Sequence, residues 1–176
     1  HGLGEIAIWF SCGWLATISG YYLQVGHFDT VTTLVSIPGA TSVFLVILVN
    51  ELPDITSDEL AGKRNLAVIL GLEKTAILYQ ALLILCYINI VVIVLFGAPR
   101  LSGLLSLILL PLMVQSILMV RKGPALSLPN GPALSLSNGI KDKNMLEGLS
   151  LRTMVFDHLI TLIYFIAFVA QGMGWF

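Results

Sequence analysis

Residues 73–97, EKTAILYQALLILCYINIVVIVLFG, decide the fold class of this chain. Beyond Lys74 the stretch carries no charged side chain until Arg100. About 20 mostly apolar residues suffice to cross the hydrocarbon core of a bilayer. Working outward, 5–25, 33–51, 101–120 and 154–174 meet the same test. Pro38-Gly39 interrupts the second span and Pro111 falls inside the fourth. Such breaks are tolerated where neighbouring helices or polar side chains satisfy the freed backbone groups. Composition agrees: 57% of residues are hydrophobic and 11% charged, whereas soluble domains carry about a quarter charged residues. The mean hydropathy is +0.93. The expectation is an all-α polytopic membrane protein with about five transmembrane helices, forming one membrane domain over residues 1–176.

Charge placement orients the spans. Lys63, Arg64 and Lys74 lie between the second and third spans. Arg121, Lys122, Lys141, Lys143 and Arg152 lie between the fourth and fifth, and only Arg100 falls on the opposite side. Basic loops stay cytoplasmic, which puts the chain's N-terminus and the 52–72 loop inside a cell (inner, cytoplasmic) membrane. Trp175 suits an interfacial belt. Cys12 and Cys86 both sit in apolar spans and read as small buried hydrophobes rather than a disulfide or metal pair. No nucleic-acid partner is expected. The first span has neither a basic n-region nor a small-residue cleavage site.

Residues 123–130 (GPALSLPN) and 131–138 (GPALSLSN) repeat an octapeptide with one change. Gly-Pro and Asn-Gly are turn formers, so 123–139 reads as a low-complexity loop without a catalytic role. His27 reads as a solvated loop histidine. Asp157-His158 is expected to open the last span at the cytoplasmic edge, either as a functional pair or as a capping and snorkelling one.

Chemistry concentrates in residues 50–71, NELPDITSDELAGKRNLAVILG. Asn50, Asp54 and Asp58 are spaced four and four, which sets them on one helix face, with Pro53 kinking or restarting the helix. Gly62 continues that face without a side chain, leaving room for a close approach. Carboxylates one turn apart suit magnesium, which takes one or two carboxylates together with waters and substrate phosphate oxygens. Alone, two acids repel a diphosphate; a bound cation inverts that sign, and Lys63 or Arg64 can neutralise the remaining phosphate charge. Asn50 can offer a neutral amide oxygen or hold a carboxylate in place.

The string N-E-x-P-D-x3-D-x3-G-K-R-x-L-A-V-x-L-G resembles the second aspartate motif of the UbiA superfamily of intramembrane prenyltransferases. NExPD followed by GKRxL is most similar to the 1,4-dihydroxy-2-naphthoate branch, which makes menaquinone. GLGE at 2–5 and GYYLQVG at 20–26 also resemble that branch. The likeness covers residues 1–120 and, loosely, the last span. It implies the C-terminal part of a nine-helix bundle in which two aspartate motifs hold Mg2+ on a polyprenyl diphosphate. An aromatic acceptor, 1,4-dihydroxy-2-naphthoate in that branch, then attacks the allylic cation. By the same resemblance Asp54 and Asp58 are the catalytic, metal-binding pair and Asn50 supports the metal. Lys63 and Arg64 attend the diphosphate. Glu5, Tyr22 and Gln24 line the acceptor side or are packing and interfacial residues.

The sequence also departs from that family. Four helices and the first aspartate motif have no counterpart. The remaining acids, Glu5, Asp29, Glu73, Asp142, Glu147 and Asp157, form no second pair at that spacing. The chain opens on His1 directly before GLGE, which reads as a start partway through a longer protein. By itself it is expected to bind diphosphate poorly. Competing readings are another UbiA branch (4-hydroxybenzoate, haem, chlorophyll or lipid glycerol acceptors) and a non-catalytic membrane fragment or transporter-like partner. A CDP-alcohol phosphotransferase would need D-G-x2-A-R upstream, which is missing.

Overall fold

The computed structural model describes residues 2–122 and 136–173. Among them there is no strand; the chain is an all-α polytopic membrane protein. Helix α1 spans Leu3–Val25, α2 Thr30–Leu60 and α3 Leu66–Phe96. Arg100–Ser106 forms α4, Leu109–Lys122 forms α5 and Leu136–Gly172 forms α6. Four of these elements are long and apolar enough to cross a membrane. A fifth crossing arises if α4 and the adjoining Leu109–Val120, bent by 44°, count as one.

Local chemistry explains the breaks. Gly26 takes φ 78° and ends α1, since glycine enters the left-handed region without a Cβ penalty. Asp29 then caps α2 by accepting from the Thr32 N–H at 3.0 Å. Helix α2 passes through Pro38 uninterrupted. Around the proline the hydroxyls of Ser36 and Thr41 donate to the Thr33 and Ile37 carbonyls, and the Cys86 thiol reaches the Pro38 carbonyl at 3.5 Å. Pro111 acts differently. Its missing N–H cannot serve the Leu107 carbonyl, and its ring crowds that group. The chain therefore makes tight turns, with Leu110 N–H on Leu107 O at 3.2 Å, and α5 restarts with Pro111 in its first turn. Helix α3 breaks at Gly71, whose φ 74° and ψ 167° only glycine adopts readily.

Helix α2 is the central element, with α1, α3 and α6 packed around it. Leu45, Leu48 and Val49 of α2 meet Tyr79, Leu83 and Ile90 of α3 and Leu149, Phe156 and Ile160 of α6 in one core. Outward-facing Leu23, Leu85, Leu95 and Phe165 stay exposed, as a lipid-facing surface requires. Polar links tie the helices at matched heights: the Tyr79 and Thr153 hydroxyls at 2.8 Å, and the Ser42 hydroxyl on Asp157 Oδ1 at 2.5 Å. Such intramembrane bonds average about 0.6 kcal/mol each.

The structure corrects the reading of the last span. Helix α6 begins at Leu136, inside the stretch expected as a loop, and its apolar part runs Asn144–Gln171. Asp157 is consequently not an edge residue. It lies two turns, about 10 Å at 1.5 Å per residue, beyond Ser150, whose hydroxyl donates to Asn50 in the last third of α2. Ser42 takes the place of the expected capping or snorkelling.

Gly13 sits where α1 crosses α2, and a Cβ there would overlap the Cα and Cβ of Ala40. Nothing surrounds the equivalent position of Gly20. Gly13→Ala is therefore expected to lower the thermal midpoint in detergent. Gly20→Ala should hold or raise it, by about 0.5–1 kcal/mol of helix propensity.

Candidate functional site

Pro53 shapes the charged segment. The α-helical ladder gives way to one 3-10 turn, Leu52–Asp54, before Ile55–Leu60 winds as α-helix again. Asn50 and Asp54 remain exposed, while Asp58 turns inward and is 9% exposed. Asn50 is held from α6 by the Ser150 hydroxyl.

Gly62 reverses the chain. It takes φ 73° and donates to the Glu59 carbonyl at 3.0 Å, while the Lys63 N–H donates to the Asp58 carbonyl at 2.9 Å. This pair of bonds is the Schellman motif, which calls for glycine at the left-handed position. Gly62 is thus a helix terminator, and open space surrounds it. The reversal returns Lys63 to Asp58, with Nζ 2.6 Å from Oδ1. Asn65 Nδ2 donates to the other oxygen at 2.8 Å.

The hydrogen bond and charge of Asp58 raise the Lys63 ammonium above its ordinary value. A raised folded value makes the pair's contribution complete at neutral pH. It is lost only as pH climbs through and beyond the ordinary lysine range.

The start of α3 completes the segment. Asn65 caps it, its Oδ1 accepting from the Val68 N–H at 2.9 Å. The Leu66 N–H donates to Glu5 Oε1 at 2.8 Å. A helix N-terminus is a ready phosphate cradle when its amides are free. Here the Leu66 and Val68 amides are committed to side chains, and the cations beside them in sequence are Lys63 and Arg64. Both line an open basin of about 660 Å³ with Glu59, Gly62, Val68 and Ile69. On the bilayer side, Ile6, Trp9, Thr41, Phe44, Leu78 and Leu82 line an apolar groove of about 250 Å³.

The structure thus brings Asn50, Asp54, Asp58, Lys63, Arg64 and Glu5 to one end of the bundle. Tyr22 and Gln24 are elsewhere. Both are exposed, and Tyr22 stacks on Phe28 at 4.8 Å, 17 residues or about 25 Å along α1 from Glu5. Asn65 and Ser150, which hold Asp58 and Asn50, were not among the expected residues. Asn65 stands immediately before the apolar run LAVIL, a usable N-cap signal. Ser150 is 100 positions from Asn50 and carries no local signal.

Among the described residues no three His, Cys, Asp or Glu side chains gather as a metal cage. Magnesium often takes one or two carboxylates from protein; of the expected pair, Asp54 is exposed and Asp58 is held by Lys63 and Asn65. Each Asp58 oxygen has a second acceptor site beyond its present partner.

Known proteins give the geometry its context. A family model described as the UbiA prenyltransferase family matches residues 1–127. The chain is 34% identical over 118 residues to the 1,4-dihydroxy-2-naphthoate octaprenyltransferase of Escherichia coli (strain K12), covering 65% of this chain and 37% of that protein. The protein of the same name from Mycobacterium leprae (strain TN) is 31% identical over 122 residues, 69% of this chain and 40% of its own length. UbiA prenyltransferase domain-containing protein 1 of Gallus gallus is 34% identical over 86 residues, 49% and 26% respectively. The chain therefore spans well under half the length of these curated relatives. No solved structure matches it.

Asn65→Ala removes both the α3 cap and a donor to Asp58. Stability in chemical denaturation should fall by about 1 kcal/mol or more. Asn65→Asp keeps a capping oxygen but faces Asp58 with a second carboxylate, so its deficit should shrink on acidification.

Proposed function

This chain belongs to the UbiA prenyltransferase family, and from that premise we propose that its 50–65 segment is one arm of a prenyl-diphosphate site. The observation that carries the reading is the pairing of two acids one turn apart with two cations, Lys63 and Arg64, at the end of an apolar bundle. A substrate with a charged head and an isoprenoid tail matches that division. The head meets Lys63 and Arg64 in the open basin, and the apolar groove beneath Glu5 offers a surface for the tail.

The reaction is transfer of the prenyl group to an aromatic ring. The allylic C–O bond breaks, and its electron pair leaves with the diphosphate. A ring carbon of the acceptor attacks the allylic cation and then loses its proton. Lys63 and Arg64 stabilise the charge that builds on the departing diphosphate. Magnesium held by Asp54 and Asp58, with Asn50 beside them, would supply further positive charge to the diphosphate oxygens. Asn65 keeps Asp58 oriented, and Ser150 does the same for Asn50.

The acceptor we favour is 1,4-dihydroxy-2-naphthoate, because two of the relatives above bear that name. Quinone biosynthesis in the cytoplasmic membrane is the matching context, with the motif loop on the cytoplasmic side where basic residues collect.

The test is magnesium-dependent transfer of radiolabelled prenyl groups in membranes carrying the protein expressed from its own locus. Asp54→Asn and Asp58→Asn should each cut the rate by roughly 100-fold or more, as loss of a group that stabilises transition-state charge does. Full activity in both single variants would overturn the proposal.

A further inference from the structure

Among the described residues only two carboxylates are buried, Asp58 and Glu5, and Glu5 is the deeper at 4% exposure. Burying a carboxylate is costly unless hydrogen bonds replace its water. Glu5 receives the Leu66 N–H at 2.8 Å across 61 positions of sequence. Three residues earlier, the Gly2 N–H donates to the Arg64 carbonyl at 3.1 Å. The start of α1 therefore grips the chain on both sides of Asn65, once on a carbonyl and once on an amide. Between Gly62 and Leu66 lie the two cations and the donor that orients Asp58. This loop has its Schellman turn at one end; the clamp from α1 secures the other. The other Glu5 oxygen, Oε2, is buried without a hydrogen-bond partner, as is Oε2 of Glu51.

We propose that Glu5 is a positioning residue: with the Gly2 amide it fixes the 63–65 loop on α1 and so sets where Lys63 and Arg64 stand beside Asp58. The inference rests on reading those cations as diphosphate ligands. It gives the GLGE opening a part in diphosphate binding, acting through the loop, and none in contacting the acceptor.

Two readouts test it in native membranes, one of which needs no activity. The first is the rate at which an amine-selective acylating reagent modifies Lys63, followed by mass spectrometry. The second is KM for prenyl diphosphate against KM for the aromatic acceptor. Glu5→Ala should speed Lys63 labelling and raise the diphosphate KM by roughly tenfold, the scale of one lost hydrogen bond to a charged group, with acceptor KM held within about twofold. Glu5→Gln keeps an oxygen for the Leu66 N–H and should restore both values. Leu66→Pro deletes the donor at a first helical position, where proline is accepted. It should act like Glu5→Ala, and the double variant should be no worse than either alone.

Unchanged Lys63 labelling in Glu5→Ala, or a rise confined to the acceptor KM, overturns the proposal. If Glu5→Ala does not fold by circular dichroism, Leu66→Pro decides by the same two readouts. If the unsubstituted protein transfers no prenyl group, the proposed function falls, and the labelling ratio still decides the clamp.

Discussion

The contact between Asp58 and Lys63 organises the functional end of this molecule. It exists because Gly62 can adopt a left-handed conformation that ends one helix and folds the chain back within a residue. That reversal places a cation 2.6 Å from a buried carboxylate. It also brings Asn65 near enough to serve Asp58 with its amide and α3 with its oxygen. Without it, the acids would end α2 and the cations would begin α3 with no fixed relation between them. A site that must hold a highly charged group needs that relation in advance.

The membrane imposes the complementary constraint. Where water is scarce, each polar group must find a partner in protein. Trp9 with Thr41, Ser42 with Asp157 and Tyr79 with Thr153 answer it at successive heights between helices. The cationic and acidic groups of residues 54–64 collect at one end instead. The bundle thereby separates a polar end from an apolar body, the partition an amphipathic substrate needs.

Much of this was legible in the sequence because it depends on local rules. Apolar runs fix where spans lie, and Pro53 marks where the helix tightens into a 3-10 turn. The rest was not local. The terminator role of Gly62 depends on its hydrogen bonds and positive φ. Asp157 read as an edge residue because an apolar count starts the last span at 154, while the helix itself begins at Leu136. Glu5 was expected among residues lining an acceptor, and one of its oxygens takes a backbone amide 61 positions away. Contacts at such separation leave no periodic signature, so only the assembled bundle reveals them.

The central claim is that the 50–65 segment receives a metal-bound diphosphate head. A structure of the protein with manganese and a non-reactive prenyl thiodiphosphate tests it most directly, through the anomalous signal of the metal. The account predicts manganese on Asp54 and Asp58, with the diphosphate between it and the Lys63 and Arg64 side chains. Manganese and diphosphate bound away from all four residues would contradict it.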